Sequence, residues 1–492
     1  MNVASIAAVS GSVDREGASA RFLAAILALS AFAAWVVPGH RLGLGMLLVS
    51  VGIAAVVLSA RPTRLQPDSL AHGSFAVALA SMFAVRSAEW LLALDGLAAA
   101  SLAALTVAGG NTWNEVRRAP VVVASRAVAS IPYLGRGASR LTAGRQFSPA
   151  LRGIGVGAIL LTVFGALFVS ADRAFAELTR GLLPDINLAL LPARTTVFIL
   201  VAMSATGLVL AGPRFAHVVS AGLLETRHGA IPEAGDRQRW HGLAPVEWML
   251  ALGLLDLLFV AFVAVQIAVL FAGHDYVLRT AGLTYAEYAR QGFLQLLAAA
   301  ALTLGVVAGA SRWARPRGAR DARVRDVLLG VLLVLTLVVL ASALKRLLLY
   351  EEAFGFTRLR VSVHAVILWL AGVLVLVMAA GAFHRGRWLP RAVVSFSAAA
   401  LLVFNFANPD ALVAARNVAR FEETGRVDLS YLAGLSPDAV PALAALPPQL
   451  RACALERHGE LLGQPDSWPA WNLGRERARV VLRQPTGVPC ST

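Results

Sequence analysis

The sequence predicts an all-α integral membrane protein, a polytopic helical bundle of about eleven spans followed by a small helical C-terminal tail domain. Between Phe22 and Phe406, apolar stretches recur that match the ~20 residues a helix needs to cross a bilayer. The stretch 327–344 carries no charged residue at all. Charged residues make up 15% of the chain, whereas a soluble domain usually carries about 25%.

The spans follow these stretches in chain order. The first stretch is preceded by a long polar lead that contains Asp14, Arg15 and Arg21. A cleaved signal peptide is one interpretation, but the length of this lead favours an uncleaved span after a cytoplasmic segment at residues 1–21. The predicted spans are 22–37, 42–60, 69–85, 90–108, 153–171, 195–212, 248–271, 292–310, 327–344, 361–383 and 392–407.

Arginine-rich connections indicate the orientation of the bundle, because connections with excess Lys and Arg stay in the cytoplasm. The basic connections follow spans two, four, eight and ten, so one orientation places all four inside. We therefore expect a multi-pass protein of the plasma (inner) membrane with a cytoplasmic N-terminus, a transmembrane bundle at 22–407 and an extracytoplasmic domain at 408–492. The net charge of +15 is scattered over these connections, so we expect no nucleic-acid binding.

The tail carries helix signals rather than another membrane span. Residues 408–410 (Asn-Pro-Asp) have the pattern of a helix start, with a capping Asn, a Pro at the first position and an acid in the first turn. Gly425 is a suitable end for that helix. Residues 436–438 (Ser-Pro-Asp) repeat the start pattern, and helical patterns follow near 448–462 and 469–484.

Both cysteines of the chain, Cys453 and Cys490, lie in this tail. A disulfide between them would need an oxidising compartment, which agrees with a tail outside the cytoplasm, and two free thiols are the alternative. The chain contains no CxxC pair, HExxH, GxSxG, phosphate loop or dinucleotide fingerprint. We therefore expect neither a metal nor a cofactor.

Four segments between spans mix aromatic, acidic and arginine residues, and the predicted orientation places all four outside. They are 168–178, 284–293, 345–360 and 408–421, the last of which continues into 427–443. Outer arginines suit a phosphate or carboxylate ligand, and the alternatives are internal ion pairs, an interfacial aromatic belt or a solvated helix face. The candidate ligand-binding residues are Asp172, Arg173, Tyr285, Tyr288, Arg290, Arg346, Tyr350, Glu351, Arg358, Arg360, Asn408, Asp410, Arg416 and Asn417.

These segments contain four ordered motifs. They are YxxYxRxGF at 285–293, RLxLYExAxGxTxLR at 346–360, NPD…RN at 408–417 and YLxxLSxDAVPxL at 431–443. From Gly153 onward the chain resembles a family of bacterial multi-pass membrane proteins that is catalogued only as a domain of unknown function, the DUF4153/DUF4173 group. The resemblance implies a multi-pass membrane fold and a membrane location, but no activity.

Ionisable residues inside the predicted spans are a second signal, because such a group costs roughly 3 kcal/mol at the centre of a bilayer. Asp256 lies near the middle of span seven, and Glu247 lies near its inner end. Asp95 falls in span four and His364 in span ten. A buried acid such as Asp256 could relay protons, and a neutral packing residue is the alternative. Asp95 and His364 are near enough to span ends to reach lipid headgroups.

Three functions from different classes fit these patterns. The first is a non-catalytic cell-envelope protein that binds a protein partner or an anionic lipid headgroup at its outer face, with membrane lipids around it. The second is a secondary transporter that uses Asp256 as its coupling site. The third is an enzyme on an anionic lipid or cell-wall precursor, with outer arginines holding phosphate and Asp172 or Asp410 as a base. Without a recognised catalytic motif, an enzyme is the least expected of the three.

Overall fold

The structure is a computed structural model that describes residues 18–60, 67–142, 190–212, 245–271, 293–314, 316–383 and 386–484. Its elements are helices, and we number the α-helices α1 to α16 in chain order. Among the described residues, eight helices are long and apolar enough to cross a membrane, and two further apolar helices are shorter. The predicted all-α membrane fold is therefore confirmed. The predicted span at 153–171 lies outside the described residues.

The N-terminal group of helices begins with the two shorter apolar helices, α1 and α2. The side-chain oxygen of Ser19 caps α1 by accepting a hydrogen bond from the Phe22 N–H at 3.3 Å. A buried cluster around Ile26 and Ala205 joins α1 to α6. The helices of this part are α1 (Ala20–Val36), α2 (Leu44–Ser59), α3 (Pro67–Val85), α4 (Glu89–Ala108), α5 (Trp113–Thr142) and α6 (Leu191–Leu210).

Helix α5 was not predicted, because residues 113–142 contain several arginines and were interpreted as a basic connection between spans. The segment instead forms one amphipathic helix of 30 residues. It packs closely on α6, and a Cβ atom on Gly207 would lie 2.8 Å from the Cα of Ala127. Small packing side chains recur every three or four residues on one face of this helix, and arginines lie on the other face. Such a helix is amphipathic although it contains no fully apolar stretch.

The C-terminal membrane helices are arranged around α9, which packs against α7, α8 and α10. Helix α9 has 36 residues and is about 54 Å long, so it extends beyond a hydrocarbon core of about 30 Å. Leu340, Ala343 and Leu347 of α9 are buried in the core of this group. The helices are α7 (Pro245–Phe271), α8 (Phe293–Trp313), α9 (Ala319–Phe354), α10 (Arg358–Ala382) and α11 (Leu389–Ala407), with a 3₁₀ turn at Gly386–Trp388 before α11.

The tail is helical, as predicted. Its first helix begins at Pro409 and ends at Gly425, whose φ of +67° suits glycine. Asn408 differs from the prediction, because its side chain makes no capping hydrogen bond and its backbone is left-handed, with φ of 52°. The helices are α12 (Pro409–Thr424), α13 (Leu429–Ala433), α14 (Val440–Leu443), α15 (Pro448–Leu462) and α16 (Leu473–Leu482), with 3₁₀ turns at Pro437–Ala439 and Trp468–Ala470.

Cys453 of α15 is disulfide-bonded. The other cysteine of the chain, Cys490, lies outside the described residues. A disulfide bond at Cys453 agrees with the first of the two alternatives left open by the sequence.

Contacts divide the chain into two compact units. Unit 1 contains the described residues of Met1–Ile231 and Glu460–Val480, and unit 2 contains those of Pro232–Gly459 and Val481–Thr492. The boundary predicted at residue 408 stays a prediction, and these units divide the tail between them. Residues 408–459 group with α7–α11, whereas residues 460–480 return to the N-terminal helices.

In unit 1 the returning segment is held by backbone groups of two helix connections. The Leu44 N–H donates to the Trp471 carbonyl at 2.9 Å. The Asn472 side-chain amide donates to the carbonyls of Phe83 at 2.9 Å and Arg86 at 2.7 Å. Because Asn472 is fully buried, these bonds satisfy carbonyl groups that would otherwise be left without partners at the end of α3.

We expect Gly43→Ala to loosen this attachment, since a Cβ atom at Gly43 would overlap the carbonyl of Ala470. Overpacking of this kind costs about 1–3 kcal/mol. Thermal unfolding in detergent and protease cleavage near residue 480 should both detect the change. Gly135→Ala is the matched control, because nothing lies within 4 Å of a Cβ atom there. Equal stability of the two variants would contradict this account of Gly43.

Candidate functional site

The connection from α9 to α10 is a tight turn that is held by Asn417 of α12. Helix α9 ends at Gly355, where φ is +79° and a Cβ atom would lie 2.6 Å from Asn417 Oδ1. That oxygen accepts from the Phe356 N–H at 3.1 Å, and Asn417 Nδ2 donates to the Phe356 carbonyl at 2.8 Å. The Asn417 side-chain amide therefore binds both the N–H and the carbonyl of Phe356. A side chain at position 355 would collide with this amide, so the position requires glycine.

Arg358, the first residue of α10, forms a two-pronged ion pair with Asp410 of α12. Its Nε donates to Asp410 Oδ1 at 2.7 Å and its Nη2 to Oδ2 at 2.6 Å. The backbone N–H of Arg358 donates to the Tyr431 hydroxyl at 2.7 Å, and that of Ser436 donates to Asp410 Oδ2 at 2.8 Å. We call Arg358, Asp410, Tyr431 and Ser436 the latch, because they tie three segments of the chain together.

The Asp410 carboxylate is fully buried, while the Arg358 side chain keeps 35% of its surface exposed. Burial by itself raises the pKa of Asp410, but the hydrogen bonds from Arg358 and Ser436 outweigh it, so the pKa lies below its ordinary value. The carboxylate is thus ionised and engaged by protein donors. It is poorly placed to act as a general base on a ligand.

Arg360 also has protein partners. Its guanidinium lies 4.1 Å from the centre of the Tyr350 ring, a cation–π contact, and it donates to the Gly355 carbonyl. The Tyr350 ring in turn packs on Phe354, with ring centres 5.0 Å apart. Arg360 therefore stabilises the end of α9.

Arg346 lies deeper on α9 and contacts α7. Its Nη2 donates to Gln266 Oε1 at 2.7 Å, and the Ser342 hydroxyl donates to the same oxygen at 2.8 Å. All three side chains are buried. A buried polar contact of this kind joins neighbouring membrane helices.

Glu351 and His364 form a second buried contact, between α9 and α10. Glu351 Oε1 lies 3.4 Å from His364 Nδ1, which also lies 3.2 Å from the Arg360 carbonyl. Glu351 is 1% exposed, and neither of its oxygens accepts a hydrogen bond within the described part of the chain. The contact between Glu351 and His364 therefore brings two ionisable side chains together between α9 and α10.

Asp256 of α7 is the most isolated of the predicted intramembrane groups. It is 7% exposed, and among the described residues neither carboxyl oxygen has a hydrogen-bond partner. Glu247 stands in the first turn of the same helix. Asp95 is fully buried in α4 of unit 1.

Two further described candidates, Arg416 and Asn408, take no part in the latch. The side chain of Arg416 is exposed on α12, and Asn408 supplies only the left-handed link between α11 and α12. Asp172, Arg173, Tyr285, Tyr288 and Arg290 lie outside the described residues. Among the residues that are described, no group of three His, Cys, Asp or Glu side chains could hold a metal ion.

The sequence analysis missed the partners that complete these contacts. Tyr431 and Ser436 stand in the quoted YLxxLSxDAVPxL motif, but were not named as site residues. In unit 1, Asp466 accepts from Arg475 at 2.7 Å and lies 3.0 Å from Arg479. The sequence spacing of Asp466 and Arg475 carries no signal, because a loop separates them.

Asp410→Asn should destabilise the latch by about 2–3 kcal/mol, less than for a fully buried pair because Arg358 is partly exposed. Differential scanning calorimetry of the purified protein would measure the loss. The matched control is Asp326→Asn, whose pair with Arg325 is partly exposed on both sides and should contribute less than about 1 kcal/mol. Similar losses in both variants would contradict the importance of the latch.

The stability of the tail should decrease in two steps as the pH falls. Burial lowers the pKa of the His458 imidazole, and the pKa of Asp410 is also below its ordinary value. The unfolded chain therefore binds more protons at both sites, so stability falls below about pH 6.5 for His458 and again below about pH 4 for Asp410.

Protease protection of the tail as a function of pH would separate these steps. His458→Gln should remove the first step and leave the second, and Asp410→Asn should do the reverse. A profile that neither substitution changes would show that other groups control the acid sensitivity.

Comparison with known proteins adds the family. The chain has no significant match among curated proteins or among solved structures. A family model described as "Domain of unknown function (DUF4153)" matches residues 73–446, which is well over half of the chain and begins earlier than the resemblance at Gly153. This range includes every residue of the latch. The chain therefore belongs to the DUF4153 family.

Proposed function

We propose that this integral membrane protein is a secondary transporter that couples to protons at Asp256. The observation behind the proposal is the burial of Asp256 within a membrane helix, with no hydrogen-bond partner for either oxygen among the described residues. A carboxyl group in such a place costs least free energy when it carries a proton. Intramembrane acids of this kind are typical of proton relays in transporters.

The Glu351–His364 pair supports the same function. Glu351 Oε1 lies 3.4 Å from His364 Nδ1 near the end of α9, and α9 also packs against α7, which carries Asp256. A proton-coupled transporter needs groups that accept and release protons at different depths. Asp256 near the middle of α7 and Glu351 near the end of α9 meet that requirement.

The two other functions receive less support. In an enzyme, Arg358 and Asp410 would have to face a ligand, but each already engages the other. A binding protein would need an exposed apolar patch on the tail. The described tail residues of unit 2 expose Leu412 as their large apolar side chain, and those of unit 1 expose Leu461, Trp468, Trp471 and Val480. Trp468 lies against the apolar helix α1, so the exposure in unit 1 suits lipid better than a protein partner.

We also propose a cytoplasmic N-terminus and an extracytoplasmic tail in a bacterial inner membrane. The arginine-rich connections support this orientation. The disulfide at Cys453 supports it independently, because disulfides persist in oxidising compartments.

Solid-supported-membrane electrophysiology can test the proton site without a known substrate. A pH jump across adsorbed proteoliposomes should displace charge as protons enter Asp256, and Asp256→Asn should abolish most of that signal. Asp326→Asn is the matched control, since it makes the same substitution at a partly exposed site and should keep the signal.

Glu351→Gln should remove a further part of the charge displacement, because it removes the second buried carboxyl group. An unchanged signal in Asp256→Asn, or the absence of any protein-dependent signal, would contradict proton coupling at Asp256. The same preparation can then be screened for substrate-dependent currents with amino acids, sugars and inorganic phosphate.

A further inference from the structure

A tryptophan of the returning C-terminal segment lies against the last turn of a membrane helix. The Trp468 ring is stacked on Phe32 of α1, with ring centres 6.4 Å apart and an angle of 27°. It also lies 5.6 Å from the ring of Trp35. Since α1 ends at Val36, the Trp468 ring is level with the apolar end of the helix.

The side of α1 that Trp468 contacts is exposed and apolar. Leu27 and Trp35 are each 53% exposed, and their spacing of eight residues places them about 80° apart around the helix, on the same broad side. Among residues 22–37 there is no charge. In a membrane helix, an exposed apolar face contacts lipid, so Trp468 sits beside the lipid-facing surface of α1.

The backbone that carries the ring is firmly held. The 3₁₀ turn Trp468–Ala470 is followed by Trp471, whose carbonyl accepts from the Leu44 N–H at 2.9 Å. Arg475 donates to the carbonyls of Leu42, at 2.9 Å, and Ala470. Yet Trp468 and Trp471 remain 45% and 40% exposed. A fixed backbone with two exposed indole rings is a preformed surface.

The length of the helices sets the depth of this surface. Helices α1 and α2 have 17 and 16 residues, so each is about 25 Å long, a little less than the ~30 Å hydrocarbon core of a bilayer. The last turn of α1 therefore lies within or at the edge of the hydrocarbon. Indole rings prefer this boundary because they join an apolar body to an N–H donor.

We propose that residues 467–471 form a membrane-inserted wedge, in which Trp468 and Trp471 occupy the boundary between headgroups and acyl chains of the adjacent leaflet. The ligand is the phospholipid bilayer itself, which is contacted by a part of the tail that is not a membrane span. The wedge holds the returning segment at the membrane surface beside α1. This proposal does not depend on transport.

Quenching of tryptophan fluorescence by two agents can test the wedge. The intact protein is reconstituted in phosphatidylcholine vesicles whose acyl chains carry bromine close to the headgroup, or in unbrominated vesicles with iodide on both sides. The substitutions are Trp468→Phe and Trp471→Phe, which keep an aromatic ring. Trp248→Phe is the control, because Trp248 is only 2% exposed.

The chain has 10 tryptophans, so each of the two substitutions should remove about one tenth of the emission. Most of the lost emission should belong to the fraction that brominated lipid quenches in the unsubstituted protein. Trp248→Phe should leave the bromine-quenched fraction unchanged. If the lost emission is instead iodide-quenched, the rings face water, and if it is quenched by neither agent, protein covers them. Either result would overturn the wedge.

Discussion

The guanidinium of Arg358 lies where three segments of unit 2 meet, namely the first turns of α10 and α12 and the segment that follows α13. Asp410 is fully buried, so its charge is tolerated only because two nitrogen atoms of Arg358 and a backbone N–H engage it. The turn before Arg358 is fixed by Asn417 in turn. The motif residues that resembled ligand-binding groups therefore hold the tail helices on the ends of α9 and α10. Arg358 therefore has a structural role at this end of the bundle.

Six buried polar side chains among the described residues of unit 2 connect membrane helices, and Asp256 is the contrast. Helix α9 has polar contacts to three neighbours, α7, α8 and α10, which limits how it can slide or rotate. The polar contacts of α9 are Ser342 and Arg346 with Gln266, Thr336 with Thr303, and Glu351 with His364.

The fold was largely predictable from sequence, because membrane helices consist of long apolar stretches that can be recognised without knowledge of tertiary contacts. Helix α5 escaped prediction, since its amphipathic pattern contains many arginines. The site was predictable only in part. Arg358 and Asp410 were singled out by their residue types, but their pairing joins positions 52 residues apart, and the same types suit an anion ligand. The hydrogen bond from Asn472 to the Phe83 carbonyl could not be predicted from composition or from residue spacing.

The attachment of residues 460–480 to the N-terminal helices has a consequence for biosynthesis. Asn472 follows Phe83 by 389 residues, and at about 5–20 residues per second a ribosome needs roughly 20–80 s to make that length of chain. During this time the carbonyl groups at the end of α3 lack the partner that they have in the finished protein. The first helices are thus inserted early, but their contacts with residues 460–480 form last. A chain that ended prematurely would leave these carbonyl groups exposed to recognition by quality-control proteases.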